Sequence, residues 1–181
     1  ETAVAKELKP LKLEKAKFAV GLVALAPEDG TAAGLDAVEF QIATNPVMPP
    51  GALTKIASGG ELARVILALK VALAERGSAP TLIFDEVDQG IGGAVADAVG
   101  ARLKKLGGVA QVLVVTHSPQ VAARGDTHFR IAKKTAGGVT LTHVSPLDEG
   151  GRREEIARML SGASITDEAR AAADTLLSAR G

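Results

Sequence analysis

Two short apolar runs, each followed directly by polar residues, constrain the fold of this chain more than any other feature. The first occupies residues 81–84 and ends at Asp85, and the second occupies residues 111–116. Continuous apolar runs of this length are typical of strands buried on both faces of a parallel sheet. Between them, residues 93–106 carry apolar side chains at helical spacing. Strand, helix and strand in this order form a βαβ unit, which predicts an α/β fold.

Weaker patterns predict the elements around this unit. Residues 60–76 repeat apolar side chains at the spacing of one helix face. The other expected elements are two β-rich segments at 17–26 and 37–44, an irregular loop at 45–51, a hairpin at 128–133 and 139–143, a helix at 152–160 that ends near Gly162, and a last helix after the N-cap Thr166. The chain is therefore expected to flank its parallel sheet with β-hairpins and to close with helices.

The N-terminal segment differs from the rest in its charge pattern. A helix over the first nine residues should end at Pro10, because proline interrupts helical hydrogen bonding. Four lysines between residues 9 and 17 indicate a solvated connector, with contact to DNA phosphates as the alternative. We therefore predict a connector at residues 1–16 and one main unit at residues 17–181.

Composition excludes several classes of protein. The 181 residues include no cysteine, so disulfide scaffolds, cysteine zinc sites and thiol catalysis are excluded. The 21 basic and 21 acidic residues balance, which argues against a strongly basic nucleic-acid module. The longest apolar run, residues 18–26, is about half of the roughly 20 residues that a membrane span requires. We expect no membrane association and a cytoplasmic location.

A serine, two glycines and a glutamate precede the first long helix. Ser58 and Glu61 have the spacing of a capping box, which satisfies the free amides of a helix start. The alternative is a ligand site, because Gly59 and Gly60 would leave the helix N-terminus bare for a phosphate. The tetrapeptide alone does not decide between these two interpretations.

Two adjacent carboxylates follow the first buried strand. Asp85 and Glu86 stand at the carboxyl end of a predicted parallel strand, where open α/β sheets bind ligands. Since neighbouring residues point to different sides, one acid could hold Mg²⁺ while the other orients water. A pair of loop or capping acids is the alternative. The glycine-rich residues 87–93, with Asp88, continue from the pair as a ligand-lining or subunit-contacting loop, or simply as a helix entry.

His117 follows the second buried strand within the segment 116–119. Parallel neighbouring strands would bring it to the same sheet edge as Asp85. A single histidine is often structural, but beside two carboxylates a phosphate contact is the better interpretation. His128 and His143 lie in the predicted hairpin, and we assign them no metal.

Together these motifs resemble the C-terminal half of an ABC-type ATPase head, of the SMC-like branch that serves bacterial DNA repair. The resemblance covers about residues 40–177 and rests on ASGGELARVILALKVALA, PTLIFDEVDQGIGG, QVLVVTHSPQVAARGDTHFRIAK and GRREEIARMLSG. Residues 58–61 match the signature motif, and residues 82–86 match the Walker B strand. Two small departures are Ala57, where many ABC proteins have leucine, and Ser118, where an apolar residue is expected.

The resemblance implies a role for each motif residue. Asp85 would hold Mg²⁺, Glu86 would act as general base, and His117 would contact the γ-phosphate of ATP. Asp88 would occupy the D-loop position at the seam between two heads. The signature residues Ser58, Gly59, Gly60 and Glu61 would meet the ATP of a second head. Such a cycle of ATP-dependent head pairing would serve DNA double-strand break repair.

One motif of these ATPases does not occur in the chain. The sequence lacks G-x-x-x-x-G-K-[ST], the P-loop whose amides and lysine hold the phosphates of ATP. In SMC-like proteins this loop belongs to an N-terminal lobe, separated from the C-terminal lobe by a long coiled coil. The resemblance therefore implies a C-terminal lobe, with residues 1–16 as the end of the coiled-coil arm. Its partners would be the P-loop lobe, a second head and, through the whole protein, DNA. The isolated chain would be inactive.

Two other functions remain open at this point. The chain could be the nucleotide-binding half of another ABC or SMC ATPase, such as a transporter subunit. It could also be a non-catalytic scaffold derived from an ATPase fold. The intact Asp85, Glu86 and His117 argue against the scaffold, and the missing P-loop argues against a transporter subunit.

Overall fold

The computed structural model describes residues 1–32, 34–45, 47, 49–55, 59–74, 79–162 and 164–179. Its helices and strands alternate in the order expected for an α/β fold. They are α1 (Thr2–Leu8), β1 (Lys17–Ala24), β2 (Asp36–Ala43), β3 (Gly51–Ala52), α2 (Gly59–Leu73), β4 (Thr81–Asp85), α3 (Gly93–Gly107), β5 (Gln111–Val115), α4 (Pro119–Arg124), β6 (Phe129–Ala136), β7 (Val139–Pro146), α5 (Glu149–Ser161) and α6 (Asp167–Ser178). None of the helices in these residues is both long and apolar enough to span a membrane.

The predicted βαβ unit is confirmed. Strands β4 and β5 pair in parallel, with Thr81 opposite Gln111 and Asp85 opposite Val115, and α3 connects them. The pattern of apolar residues that identified the unit also gave its boundaries to within one residue, and the first strand extends one residue further, to Asp85. The parallel pairing brings the carboxyl ends of both strands to one edge of the sheet.

The prediction that both faces of these strands are buried is wrong for one face. Leu82 and Phe84 are each 8% exposed and belong to the main core, whereas Ile83 is 71% exposed. Leu113 and Val115 of β5 are also exposed. Helices α2 and α3 contribute to the core on the first face, and no described element covers the second. The strands are thus apolar on both sides, but the described residues cover only one of them.

The N-terminal segment is part of the main core. Helix α1 ends at Leu8 and a 3₁₀ turn over Lys9–Leu11 contains Pro10, so the predicted helix stop is confirmed. Leu8, Leu11 and Leu13 are buried. The prediction of a solvated connector is therefore wrong for the leucines, although the lysines of this segment are exposed as expected. The boundary at residue 16 stays a prediction.

Two antiparallel sheets flank the parallel pair. Strands β1 and β2 pair along their whole length, from Lys17 opposite Ala43 to Ala24 opposite Asp36. The short strand β3 adds to β2, in a region expected to be an irregular loop. Strands β6 and β7 form the predicted hairpin, longer than expected at both strands. The hairpins were recognisable from their β-rich composition, but β3 is too short to give a sequence pattern.

The C-terminal helices form a second, smaller core. Helix α5 begins earlier than predicted, because Asp148 caps it by accepting a hydrogen bond of 2.7 Å from the Gly151 amide. It ends at Gly162, where φ is 77°, as predicted. Thr166 caps α6 through the Ala169 amide, also as predicted. The buried side chains shared by α4, α5 and α6 are Ala123, Ile156, Ala157, Ala169 and Ala173.

A half-buried histidine lies where the hairpin meets this second core. Burial lowers the pKa of His128, and the positive charge of Arg152 lowers it further, while Glu155 acts in the opposite direction. The Nδ1 atom of His128 is buried and, among the described residues, has no hydrogen-bond partner. The folded chain therefore favours the neutral imidazole.

This preference predicts a loss of stability on mild acidification. Because the pKa of His128 is lower in the folded chain than its unfolded value of about 6.5, the unfolded chain binds the proton more readily. The free energy of unfolding should fall as pH drops below about 6.5 towards the folded pKa. Urea unfolding between about pH 7.5 and 5.5 should show a shallower pH slope for His128→Gln than for wild type. His143→Gln, at an exposed position of β7, should keep the wild-type slope. Equal slopes for wild type and His128→Gln would contradict the prediction.

Candidate functional site

The candidate site is at the carboxyl edge of the parallel pair. Because Asp85 is opposite Val115 in the register, Glu86 and His117 leave the sheet at the same edge. Asp85, Glu86 and His117 are all exposed there. The structure thus brings together the acids and the histidine that sequence reasoning expected to be neighbours. Their chemical roles stay predictions.

The backbone turns sharply at the second acid. Glu86 has a φ of 55°, in the left-handed region that side chains with a Cβ rarely adopt. A hydrogen bond of 3.0 Å from the Gln89 amide to the Glu86 carbonyl closes the turn. Such a conformation costs about 1–3 kcal/mol and is concentrated at functional sites. The turn directs the chain from the strand end into the loop that carries Asp88.

Asp88 connects this loop to the segment after β5. Its Oδ2 accepts hydrogen bonds from the Thr116 hydroxyl at 2.5 Å and from the Ser118 amide at 3.0 Å. These two residues flank His117, so a carboxylate from one loop holds both sides of the histidine on the other. The contact lies within a single chain, whereas the family resemblance implied a position for Asp88 at the seam between two heads.

Ser118 begins a short helix that the sequence analysis missed. Its hydroxyl accepts a hydrogen bond of 3.4 Å from the Val121 amide and caps α4. Pro119 occupies the first helical position, where a missing amide hydrogen costs nothing. Serine followed by proline was the signal that could have predicted this helix start. The cap also explains why a polar residue stands where the family resemblance led us to expect an apolar one.

The signature segment contacts the Asp88 loop. Ser58 lies outside the described residues, and helix α2 begins at Gly59. The expectation that both glycines leave the helix start bare is wrong for Gly60, which is buried. A Cβ at Gly60 would lie 2.8 Å from the carbonyl oxygen of Gln89. The second glycine is therefore needed for close approach of the loop.

A buried arginine lies one turn further along α2. Burial lowers the pKa of Arg64, and the nearby charge of Glu61 partly offsets this effect. The charge of Glu61 thus interacts with the buried guanidinium of Arg64 on the same helix. This interaction supports a structural contribution of Glu61 at the helix start in addition to any contact with a nucleotide.

An open cleft of about 350 Å³ adjoins the histidine. One wall is the loop from Ile91 to Gly93, and the facing wall is the segment from His117 to Gln120. Met159 and Leu160, near the end of α5, complete the lining. The cleft is therefore lined by the predicted D-loop, by His117 and by a C-terminal helix, and sequence reasoning did not connect this helix with the site.

The acids at the sheet edge suit a metal that is bound together with a phosphate ligand. Within the described ranges, no three histidine, aspartate or glutamate side chains group closely enough to hold a metal ion. Mg²⁺ in nucleotide sites is usually held by one or two carboxylates, with waters and phosphate oxygens completing its shell. Asp85, exposed at the end of β4, fits this mode of binding.

Similarity to known proteins was found in sequence and in structure, although no family model matches the chain. The DNA repair protein RecN of Xylella fastidiosa is 56% identical over 144 residues, which are 80% of this chain and 26% of that protein. RecN of Rickettsia felis is 48% identical over 98% of this chain and 32% of its own length. RecN of Vibrio cholerae is 44% identical over 96% of this chain and 31% of its own length. The chain thus spans about a third or less of the relatives it matches.

Solved structures with a similar fold are SMC head domains. The Smc head with a coiled coil and joint from Pyrococcus yayanosii superposes with a TM-score of 0.57 at 22% identity, over 86% of this chain and 28% of that chain. The Smc head from Pyrococcus furiosus, solved with an extended coiled coil and the C-terminal domain of ScpA, gives a TM-score of 0.54 at 22% identity. It matches 87% of this chain and 38% of that chain. At this identity the likeness shows the fold alone.

The contact between Gly60 and Gln89 generates a prediction about stability. Gly60→Ala should destabilise the chain by about 1–3 kcal/mol, because the added methyl group meets a backbone carbonyl that cannot rotate away. Gly59→Ala is the matched control, since its Cβ would lie 3.8 Å from the nearest atom, the Gln89 side-chain oxygen. That control should be neutral or stabilising, because alanine favours helix over glycine by up to about 1 kcal/mol. Urea unfolding of both variants measures the difference, and equal stabilities would contradict the proposed close approach.

Proposed function

This chain is a relative of the RecN DNA repair proteins and has the fold of an SMC head, and from this we propose that it forms the C-terminal half of an ATPase head. The observation that carries the proposal is the shared sheet edge of Asp85, Glu86 and His117. Two acids and a histidine at the carboxyl ends of parallel strands suit the hydrolysis of a bound nucleotide. The hydrogen bonds of Asp88 on both sides of His117 support a coupled site rather than separate loops.

The other half of the head would be a P-loop lobe. The chain contains no P-loop, and the relatives are about three times as long as the region they share with it. The parallel sheet has two strands among the described residues, and its second face carries exposed Ile83, Leu113 and Val115. Exposed apolar surface on a sheet face marks an interaction site. We place the P-loop lobe against this face, with residues 1–16 leading from the coiled-coil arm.

In the assembled head, each acid has a separate task. Asp85 would hold Mg²⁺, which would supply positive charge against the phosphates of ATP. Glu86 accepts a proton from the attacking water, so that the water oxygen can bond to the γ-phosphorus as the bond to the β-phosphate oxygen breaks. His117 donates a hydrogen bond to the γ-phosphate and senses its presence. Asp88 holds the segment on which His117 stands.

Pairing of two heads would complete each site. The signature residues Ser58, Gly59, Gly60 and Glu61 would form the surface that meets the ATP of the opposite head, with the amides and dipole of a helix start towards the γ-phosphate and Gly60 buried behind them against Gln89. Gly59, which is exposed, suits this contact. Loss of the γ-phosphate would release the heads. Such a cycle would let the whole protein clamp DNA near a double-strand break, within the nucleoid.

Glu86→Gln tests the general base. The assembled head, meaning this chain together with a P-loop lobe, should lose ATP turnover by about 10²-fold or more, because glutamine cannot accept the proton. ATP binding should persist, since the side-chain size is unchanged. Steady-state phosphate release and calorimetric ATP titration measure the two effects, with Glu149→Gln on α5 as the control.

Three results would contradict the proposal for Glu86 or for the whole site. Normal turnover in Glu86→Gln would remove Glu86 from its role. Turnover by this chain without the P-loop lobe would refute the divided site. ATP binding without turnover in the wild-type head would favour a scaffold over an enzyme.

Ile83→Asp tests the proposed lobe contact. A charge at the centre of the uncovered sheet face should abolish co-purification with the P-loop lobe, because the aspartate would be buried without a partner. Stability of the chain alone should change little, since Ile83 is 71% exposed. Val139→Asp, an exposed apolar position in the hairpin, is the matched control and should still co-purify. Undiminished co-purification of Ile83→Asp would place the lobe elsewhere.

A further inference from the structure

Helix α4 links His117 to the C-terminal helices. It has six residues, Pro119–Arg124, and follows His117 and the cap Ser118 directly. A helix this short is unstable in isolation, because too few hydrogen bonds form to offset the cost of its first turn. Its position must therefore be fixed by contacts from other elements. Those contacts also fix His117, which stands one residue before the cap.

A buried arginine on α5 provides the contact at the far end of α4. Arg152 is 4% exposed. Its Nη2 atom donates to the carbonyl oxygens of Ala123 at 2.9 Å and Ala122 at 3.2 Å, and to that of Gly125. Its Nη1 atom donates to the Asp126 carbonyl at 3.1 Å. One guanidinium group thus donates hydrogen bonds to four backbone carbonyls at the end of α4 and just after it.

Two of these carbonyls, those of Ala122 and Ala123, lie in the last turn of α4, and the other two follow the helix. The Ala122 carbonyl also accepts a hydrogen bond of 3.3 Å from the Gly125 amide. The last four carbonyls of any helix lack amide donors from the helix itself. A cation there is also favoured by the helix dipole. The planar guanidinium presents donors in several directions at once, which the single ammonium of lysine cannot reproduce. Arg152 is therefore suited to fix the end of α4 in both position and direction.

A second arginine anchors α4 from the side. Arg124 makes two hydrogen bonds to Asp97 of α3 through Nη2, at 2.8 and 3.1 Å. Gly100 of α3 allows this approach, because a Cβ there would lie 2.9 Å from Cγ of Arg124. This contact ties α4 to the βαβ unit but does not reach the carbonyls at its end. Loss of Arg152 would leave α4 attached through Arg124 but would remove the side-chain donors to the carbonyls at and after its end.

We propose that Arg152 is a positioning residue for His117, acting through α4. At about 1.5 Å per residue, α4 carries the constraint over about 9 Å to the cap and the histidine. Asp88 fixes the other end of the same segment through Thr116 and Ser118. His117 is then held between a carboxylate in its own site and a cation on the C-terminal helices. The proposal rests on the role given to His117 under the proposed function.

The test is ATP turnover in the assembled head with Arg152 changed. Arg152→Met should lower kcat about tenfold or more, as expected when a reacting group is misplaced by a fraction of an ångström to 1 Å, and KM should stay within about twofold. Arg152→Lys should recover part of the loss, because it keeps the charge and some donors. Arg153→Met is the matched control, since Arg153 is the next residue on α5 and pairs with Asp174 of α6 instead. It should leave kcat within about twofold.

A double substitution separates positioning from general loss of structure. In a His117→Ala background, Arg152→Met should lower kcat no further, because two residues that act through one group are not additive. Hydrogen exchange should show faster exchange at the amides of residues 121–126 in Arg152→Met and unchanged protection in α6. If Arg152→Met does not fold, the same measurements on Arg152→Lys apply, with a smaller loss of kcat expected.

Two results overturn the inference, and a third also overturns the role of His117. Unchanged kcat in both Arg152 variants, with reduced kcat in His117→Ala, would refute the link while leaving the proposed function intact. An equal loss from Arg152→Met with and without His117 would show a merely structural effect. Unchanged kcat in His117→Ala would refute the proposed role of the histidine and the inference together.

Discussion

The parallel pairing of β4 with β5 is the constraint on which the rest of the structure depends. Its register places Asp85 opposite Val115, and every residue of the candidate site follows from the strand ends that this pairing aligns. A shift by one residue would reverse which side chains face the core. Leu82 and Phe84 pack into that core and so secure the register. The same two side chains that stabilise the sheet therefore also determine where the acids and His117 emerge.

Alignment of the strand ends alone would leave the loop after β4 and the segment after β5 independent of each other. Asp88 connects the two. Its carboxylate accepts hydrogen bonds from Thr116 and Ser118, and Gln89 beside it contacts the glycine at the start of α2. The loop after β4 thus touches both the histidine segment and the signature helix within one chain. Movement of any one of the three would disturb the other two. Packed contacts and hydrogen bonds between elements are one physical route by which such loops can be energetically coupled.

Sequence patterns predicted the parts of this arrangement that depend on apolar periodicity. The βαβ unit, both hairpins and the caps at Gly162 and Thr166 follow from local spacing and turn chemistry, and the structure has them. Helix α4 escaped prediction because six residues contain less than two turns of periodicity. Burial of Gly60 escaped as well, since it depends on a loop thirty residues away in sequence. The exposure of Ile83 could not be predicted from an apolar run. Such a run shows that both faces of a strand are apolar, but it does not show which face other elements of the chain cover.

Helix α5 gives the C-terminal helices a second connection with the site. Arg152 near its start holds the end of α4, while Met159 and Leu160 near its end line the cleft beside His117. The helix therefore bonds the end of α4 near its own start and lines the cleft beside His117 near its own end. A rigid rotation of α5 would shift Arg152 and the cleft lining together, so the C-terminal helices, besides forming the second core, bear on the geometry beside His117.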